Sequence, residues 1–121
     1  MRRPGRTERG TRAFSAGRHA EGLAACYLRL KGYSILASRY RTAVGEVDLV
    51  ARSGKTTVFV EVKWRPTAEE GAMAIAPRQQ ERIRRAAEWY LSRHGHPGVP
   101  CRFDVVLVVP WRFPRHIKNA W

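Results

Sequence analysis

The sequence of 121 residues predicts an α/β fold in which one mixed sheet is flanked by helices. Apolar residues recur with the helical period of about 3.6 residues in 15–31 and 77–95, and the other apolar segments read as strands. Three strands between these helices and one after the second helix give the order αβββαβ. A strand that returns after a helix is expected to run parallel to a strand of the same sheet. The length suits a single domain.

The first helix is predicted to follow a basic arm. Residues 1–14 are rich in Arg and Gly and lack periodicity, as is typical of a disordered arm, so residues 15–121 form the predicted domain. Ser15 is the candidate N-cap of the helix and Gly32 its candidate stop. Glu21 lies at the border of the apolar stripe. That stripe contains Ala20, Leu23, Ala24, Tyr27, Leu28 and Lys31.

Three strands joined by short connections predict an antiparallel meander. They comprise residues 33–41, 46–51 and 57–65. The loop 65–76 leads to the second helix, where Pro77 suits the first turn and Gly95 the end. The last strand, 102–109, is apolar enough to be central. The buried stripe of the second helix is predicted to contain Ile83, Ala86, Ala87, Tyr90 and Leu91.

The composition is strongly basic, with 23 Lys and Arg against 10 Asp and Glu and a formal net charge of +13. Such an excess favours a polyanionic partner, because neutralising phosphates releases counterions. Composition leaves open whether the protein is an enzyme or a passive binder of rRNA or DNA. Candidate phosphate contacts, for which simple surface charge is the alternative, are Arg41, Arg65, Arg78, Arg82 and Arg85.

Other residue types are given structural roles. Cys26 and Cys101 are too few for a disulfide scaffold and are not spaced as a zinc site, and we expect Cys26 to be a buried thiol. The four histidines lack ligand spacing and are expected to have no role. Trp111, Phe113 and Trp121 are able to stack on unpaired bases, but aromatic residues near a C-terminus more often close a core, which is our prediction.

No segment approaches the length of a transmembrane helix, and the basic N-terminus lacks the apolar core of a signal peptide. We therefore expect a soluble protein of a reducing cytoplasm, with no membrane partner.

Two carboxylates and an ammonium interrupt the apolar strands of the middle hairpin. If Val50 pairs with Phe59, then Asp48 falls opposite Glu61, because side chains alternate along a strand. Directly opposed Cβ atoms lie about 4.5–5.5 Å apart. Two carboxylates about 5 Å apart repel by on the order of 3 kcal/mol at an effective dielectric constant of about 20. A stable fold would not keep such a pair without compensation.

A divalent cation would offset this repulsion, since Mg²⁺ takes Asp and Glu oxygens as ligands. Lys63 points at the same spot, where an ammonium can orient or help to deprotonate a water, or stabilise charge on a phosphate. Glu21 would add a third carboxylate if the first helix packs on that face. On its own, a Glu-x-Lys pair on a strand is usually a solvated salt bridge. Its convergence with Asp48 and Glu21 favours a metal site.

The same residues carry a family resemblance. GEVDLVA and VFVEVKWR resemble the PD-(D/E)XK nuclease signature, with Asp48 as the first acid and EVK, beginning at Glu61, as the Glu-x-Lys motif. Val47 stands where that signature has Pro. Residues 17–121 resemble the YraN-like family of small bacterial proteins, which are similar to archaeal Holliday-junction resolvases. Further matching segments are GRHAEGLAACYL, GYSILASRYR, RAAEWYL, RFDVVLV and HIKNAW.

The resemblance implies a restriction-endonuclease-like fold in which Asp48, Glu61 and the carbonyl of Val62 bind Mg²⁺ or Mn²⁺. It implies Glu21 as an additional metal-site acid and Lys63 as the catalytic base or water-orienting group. It also implies DNA as the partner, with branched DNA such as a four-way junction as the substrate. A two-fold junction cut on two strands would call for a homodimer.

Three further polar residues have alternative roles in this scheme. Glu46 falls opposite Lys63 in the assumed register, and we expect it to pair there rather than to cap the turn or bind metal. Gln79, one turn before Ile83, either reaches the site or is a core amide bonded to backbone. Asp104, on the central strand, is expected to be the structural partner of a nearby Arg.

These observations together predict a Mg²⁺-dependent deoxyribonuclease that hydrolyses phosphodiester bonds. One alternative is a non-catalytic nucleic-acid-binding protein in which the site has become a salt-bridge cluster. Another is an accessory factor that binds a protein through the loop 65–76. Against both alternatives, the set of two acids and a Lys is complete in this sequence.

Overall fold

The structure is a computed structural model that describes residues 18–69, 73–95 and 98–121. The predicted arm 1–14 and the candidate N-cap Ser15 lie outside the described residues. Helix α1 is described over residues 18–30. The remaining elements are β1 (Ser34–Arg41), β2 (Glu46–Ser53), β3 (Thr56–Trp64), α2 (Pro77–His94), β4 (Cys101–Val108) and β5 (Arg115–Ile117).

The strands form one five-stranded sheet in the order β1-β2-β3-β4-β5. Strands β1, β2 and β3 form the predicted antiparallel meander, and β4 runs parallel to β3. Val50 lies opposite Phe59, which is the predicted register of the middle hairpin. The α/β prediction with an αβββαβ core and a mixed sheet is therefore confirmed. Strand β5 was not predicted, since three residues carry too little alternation to reveal a strand.

The two helices cover opposite faces of the sheet, and each face has its own core. Side chains alternate along β3, so Val58 and Val60 face α1 whereas Phe59 faces α2. The α1-side core contains Ala20, Ala24, Ala25, Leu28, Leu49, Val58, Val60 and Val106. The α2-side core contains Val47, Val50, Phe59, Ile83, Ala86, Ala87 and Val105.

Helix α1 ends at Gly32, as its sequence predicts. Gly32 has φ +90°, and the N–H groups of Tyr33 and Gly32 donate to the carbonyls of Leu28 and Arg29 at 3.0 Å each. This pattern is a Schellman C-cap, in which Gly adopts the left-handed conformation without a Cβ penalty.

The predicted burial of Leu23, Cys26 and Lys31 is wrong. Cys26 is exposed, because position 26 lies about 200° around the helix from both Ala24 and Leu28, which are buried. Leu23 is 41% exposed, since it lies beside the narrow stripe that these two residues define. Lys31 is also exposed, and Tyr27 is only half-buried.

Asp104 has the predicted Arg partner, and it also binds a histidine. Arg102 donates two hydrogen bonds to its carboxylate, both at 2.8 Å, and His116 Nε2 lies 2.7 Å from Oδ2. Burial favours the neutral acid, but these hydrogen bonds, from His116 and then Arg102, outweigh it and hold the pKa of Asp104 below its ordinary value. His116 therefore fixes β5 to β4, and the expectation that no histidine has a role is wrong.

The C-terminal aromatic residues separate into two groups. Trp121 packs on Phe103 with ring centroids 5.4 Å apart, so it closes the core as predicted. Trp111 and Phe113 are 102% and 91% exposed, so the same prediction is wrong for them. They lie in the connection from β4 to β5, where the chain reverses direction beyond the edge of the core.

Candidate metal centre

The backbone pairing of β2 with β3 extends from the hairpin turn as far as Leu49, the residue next to Asp48. The last recorded pair is Leu49 with Val60, and beyond it Asp48 Oδ2 accepts the N–H of Val62 at 2.8 Å. A side chain thus takes the place of a backbone partner, and the part of the hairpin beyond the Leu49–Val60 pair is called the gap between the strands. The gap lies at the Glu-x-Lys motif.

Asp48 points into this gap because the alternation of β2 breaks there. Val47 and Val50 both pack in the α2-side core, although strict alternation would put them on opposite faces. Strand β1 is irregular alongside, where Arg39 has φ +52°. The break turns the Asp48 carboxylate from the face of the sheet towards the β3 backbone.

Glu61 occupies the same gap and is only 6% exposed. Its Oε1 lies 3.9 Å from Lys63 Nζ, and its Oε2 is buried with no hydrogen-bond partner in the described part of the chain. Burial, and then the charge of Asp48, raises the pKa of Glu61 to about 8. Burial raises the pKa of Asp48 too, against the hydrogen bond from Val62. Both shifts show that the two carboxyls are costly to hold ionised side by side without a cation.

The carbonyl of Val62 faces the gap as well. In an extended strand the N–H and C=O of one residue point to the same side. The N–H of Val62 points to β2, since it donates to Asp48. The carbonyl that the resemblance implies as a metal ligand is therefore directed to the side on which both carboxylates lie.

Glu21 approaches from α1 but is held by an arginine. Arg39 Nε lies 3.3 Å from Glu21 Oε2. Burial, and then the nearby charge of Asp48, raises the pKa of Glu21, while Arg39 lowers it. Among the described residues, no group of three or more His, Cys, Asp or Glu side chains is close enough together to hold an ion. The structure thus brings Asp48 and Glu61 together, with Glu21 near but paired elsewhere.

Gln79 lies next to the pair, whereas Glu46 does not pair as predicted. Gln79 is near enough to Glu61 to favour its ionised form and so lowers its pKa, against the larger effects of burial and Asp48. Glu46 binds Arg41 at 3.2 Å and Arg82 at 3.6 Å, not Lys63. The β2–β3 pairing ends before Glu46 and Lys63 would lie opposite each other. Arg41, by contrast, lies directly opposite Glu46 in the β1–β2 pair.

Two residues that the sequence analysis missed position this site. Arg39 holds Glu21, and its place opposite Asp48 follows from the β1–β2 register, which could have revealed it. Gly45 lies against α2 so closely that an added Cβ would be 2.0 Å from the carbonyl oxygen of Arg82. Gly45, just before β2, thus allows the backbone of α2 to approach the start of β2 closely.

The donors present fit a hard divalent cation. Two carboxylates at one gap repel each other, and a buried oxygen without a partner is costly unless something binds it. A cation such as Mg²⁺ or Mn²⁺ would satisfy both conditions, with Asp48, Glu61 and the Val62 carbonyl as the groups to hold it.

Comparison with known proteins gives the family. Residues 20–108 match the model of the uncharacterised protein family UPF0102. A UPF0102 protein of Parvibaculum lavamentivorans is 48% identical over 120 residues, covering 98% of this chain and 90% of the relative. One of Paramagnetospirillum magneticum is 51% identical over 110 residues, covering 87% and 85%. The chain belongs to the UPF0102 family. This family comprises the YraN-like proteins that the sequence resembles.

The arginines of this UPF0102 protein that we selected as phosphate contacts lie on β1, after β3 and along α2. Arg41 and Arg82 converge on Glu46 beside the gap. Arg65 follows β3 and donates to the carbonyl of Trp64. Arg78 is exposed in the first turn of α2, and Arg85, also exposed, pairs with Glu81 one turn below it. Neither described helix combines the length and apolarity that a membrane crossing needs.

Proposed function

We propose that this UPF0102 protein is a PD-(D/E)XK-type DNA endonuclease that hydrolyses phosphodiester bonds with Mg²⁺ or Mn²⁺. The supporting observation is the pair of half-buried Asp48 and buried Glu61, with a Glu61 oxygen that has no hydrogen-bond partner among the described residues and the ammonium of Lys63 at 3.9 Å. Such a pair costs stability in an apoprotein, and perturbed carboxyls of this kind cluster at functional sites.

Each residue of the site has a task in this reaction. A bound cation would supply charge stabilisation at the phosphate and lower the pKa of a water. Asp48 and Glu61 would hold that cation, which needs both carboxylates ionised, so binding would release a proton bound to Glu61. Lys63 donates a hydrogen bond to the attacking water or to a phosphate oxygen, and in its neutral form it accepts the proton of that water. Glu21 adds negative charge from α1.

DNA as the substrate is supported by the net charge of +13 and by the arginines beside the gap. Branched DNA is the substrate that the resemblance to junction resolvases suggests. A homodimer would then place two such sites on a two-fold junction.

Cleavage of end-labelled linear, flapped and four-way DNA with Mg²⁺ or Mn²⁺ tests this proposal. We expect the parent protein to cut and Lys63→Ala to lose at least about 100-fold in rate, as is typical for a group acting in the transition state. Lys55→Ala is the matched control, because Lys55 lies in the exposed turn at the other end of the same hairpin. Equal cutting by parent and Lys63→Ala, or no cutting by any of them, contradicts the proposal.

The second candidate function is a non-catalytic nucleic-acid-binding protein, and one observation favours it. Glu21 is paired with Arg39 at 3.3 Å, as in a salt-bridge cluster rather than an open metal site. Binding of these DNAs with no metal-dependent cleavage would support this candidate instead.

A further inference from the structure

An apolar groove lies between α1 and the connection from β4 to β5. It has a volume of about 690 Å³. Leu23 of α1 and Trp64 at the end of β3 line one part, and Trp111, Arg112 and Phe113 line the other. Exposed aromatic rings in one patch are unusual on a monomer and mark a binding surface.

The connection that carries these aromatic residues is restrained. Pro110 and Pro114 bracket the Trp-Arg-Phe sequence, and proline fixes one backbone angle at each end. Trp111 has φ +63°, a conformation that residues with a side chain rarely adopt. The exposed Trp111 indole is thus held by a strained backbone conformation, and such strain is concentrated at functional sites.

A second concavity of about 410 Å³ adjoins the groove, with Arg112 and Phe113 shared as the common wall. Tyr27 and Arg115 line its other parts. The two concavities lie on either side of Phe113, and the guanidinium groups of Arg112 and Arg115 are close by. This arrangement suits the binding of successive unpaired bases. Bases stack on the rings while cations track the phosphates.

Charge selects nucleic acid over a protein occupant. No Asp or Glu is among the described residues that line either concavity, while Arg112, Arg115 and His19 are. The chain as a whole carries +13. A basic rim around aromatic rings is complementary to a single-stranded polyanion.

The groove lies near the candidate metal centre along β3. Trp64 directly follows Lys63 and is three residues beyond Glu61, a rise of about 10 Å. Its side chain points to the α1 side, whereas Glu61 points to the α2 side. DNA held at the metal centre therefore reaches the groove by passing over the end of β3.

We propose that this groove binds unpaired bases of single-stranded DNA, so that the substrate class is DNA with an unpaired stretch next to the cut. This inference rests on the proposed nuclease function for its role in substrate choice, but the binding itself does not require cleavage.

Fluorescence anisotropy with labelled oligo-dT and a duplex of equal length, in EDTA, tests the groove. We expect the double variant W111A/F113A to bind oligo-dT about 100-fold more weakly, about tenfold for each ring, with duplex affinity unchanged within about twofold. Leu30→Ala is the matched control, since Leu30 is an 88% exposed apolar residue of α1 that does not line the groove. Both rings removed are exposed, so thermal melting should be unaltered.

Unchanged oligo-dT binding by W111A/F113A, or equal losses on duplex and single strand, would overturn the proposal. So would a parent dimer that the double variant disrupts without weakening oligo-dT binding, which would assign the patch to a second copy of the chain. The two proposals fail separately. If Lys63→Ala binds oligo-dT but neither it nor the parent cleaves DNA, only the nuclease proposal is refuted. Cleavage of flapped DNA by the parent and W111A/F113A at equal rates refutes only the role of the groove in substrate choice.

Discussion

Burial, and then the charge of Asp48, raises the pKa of the Glu61 carboxyl to about 8, so the folded protein holds the proton of this carboxyl to a higher pH than the unfolded chain does. The unfolded chain releases that proton at the ordinary pKa of about 4.3. Between that value and about 8 the folded state binds more protons, so the stability contributed by Glu61 is full below the lower value and is lost as the pH rises through the upper one.

In the absence of metal, the free energy of unfolding of the parent should therefore fall between pH 5 and 8.5. We expect this fall to be smaller in Glu61→Gln. The variant should be more stable than the parent at the alkaline end, because it buries no charge. A gain of about 1.4 kcal/mol corresponds to each pKa unit of the shift. Urea unfolding at several pH values measures it.

Glu81→Gln is the control for this prediction, since Glu81 is an exposed carboxylate of α2 that pairs with Arg84 and Arg85. Its pH profile should follow that of the parent. A parent whose stability rises with pH over this range would show that Glu61 is not protonated in the folded state.

Residue-scale reasoning found the carboxylate pair but not the groups around it. Asp48, Glu61 and Lys63 stood out because charges interrupt apolar strands of period two. The partners of Glu46 could not be predicted, because the assumed register does not extend past Leu49. His116 escaped notice because its partner Asp104 is 12 residues away on another strand.

At the scale of elements, the site depends on how closely α2 approaches the β1–β2 turn. Thr42 shapes this turn, since its hydroxyl donates to the carbonyl of Gly45 at 2.8 Å and accepts the N–H groups of Val44 and Gly45. Gly45 then packs on the backbone of α2 at Arg82. The first turn of α2 is thereby brought to the carboxylate pair.

Gly45→Ala should force the turn and α2 apart, because the new Cβ has backbone rather than a flexible side chain in its way. We expect a loss of about 1–3 kcal/mol in the free energy of unfolding, the usual cost of overpacking. Chemical denaturation measures the loss.

Gly22→Ala is the comparison that isolates packing. Gly22 lies in α1 with nothing within 4 Å of an added Cβ, so alanine there should stabilise the helix by about 0.5–1 kcal/mol. If Gly45→Ala were equally stabilising, the close approach of α2 would not be a feature of the protein.

The elements themselves were predictable where a period is long enough to read. Both helices, the meander and the parallel return of β4 follow from periodicity and from connection length. The irregularity at Arg39 was not predictable, since a positive φ at a non-glycine residue leaves no mark in the sequence. That irregularity lies beside the break in the side-chain alternation of β2, which directs the Asp48 carboxylate towards β3.

In the molecule as a whole, the sheet separates two cores, and the candidate metal centre lies in the gap where the backbone pairing of β2 with β3 ends. The net charge of +13 attracts an anionic substrate. The gap and the aromatic groove lie on either side of the end of β3. The account thus predicts one DNA-binding surface that continues around this end of the sheet.

Thermal unfolding during titration with Mn²⁺ or Ca²⁺ tests the central claim most directly, with parent, Asp48→Asn and Glu81→Gln compared at pH 6 and pH 8. The Asn variant keeps an oxygen that can accept the Val62 N–H, so it preserves the fold while removing a charge. The account predicts saturable stabilisation of the parent and of Glu81→Gln, about 2.7 kcal/mol at a metal concentration of 100 Kd, stronger at pH 8 and absent in Asp48→Asn. No stabilisation of the parent, or equal stabilisation of Asp48→Asn, would contradict it.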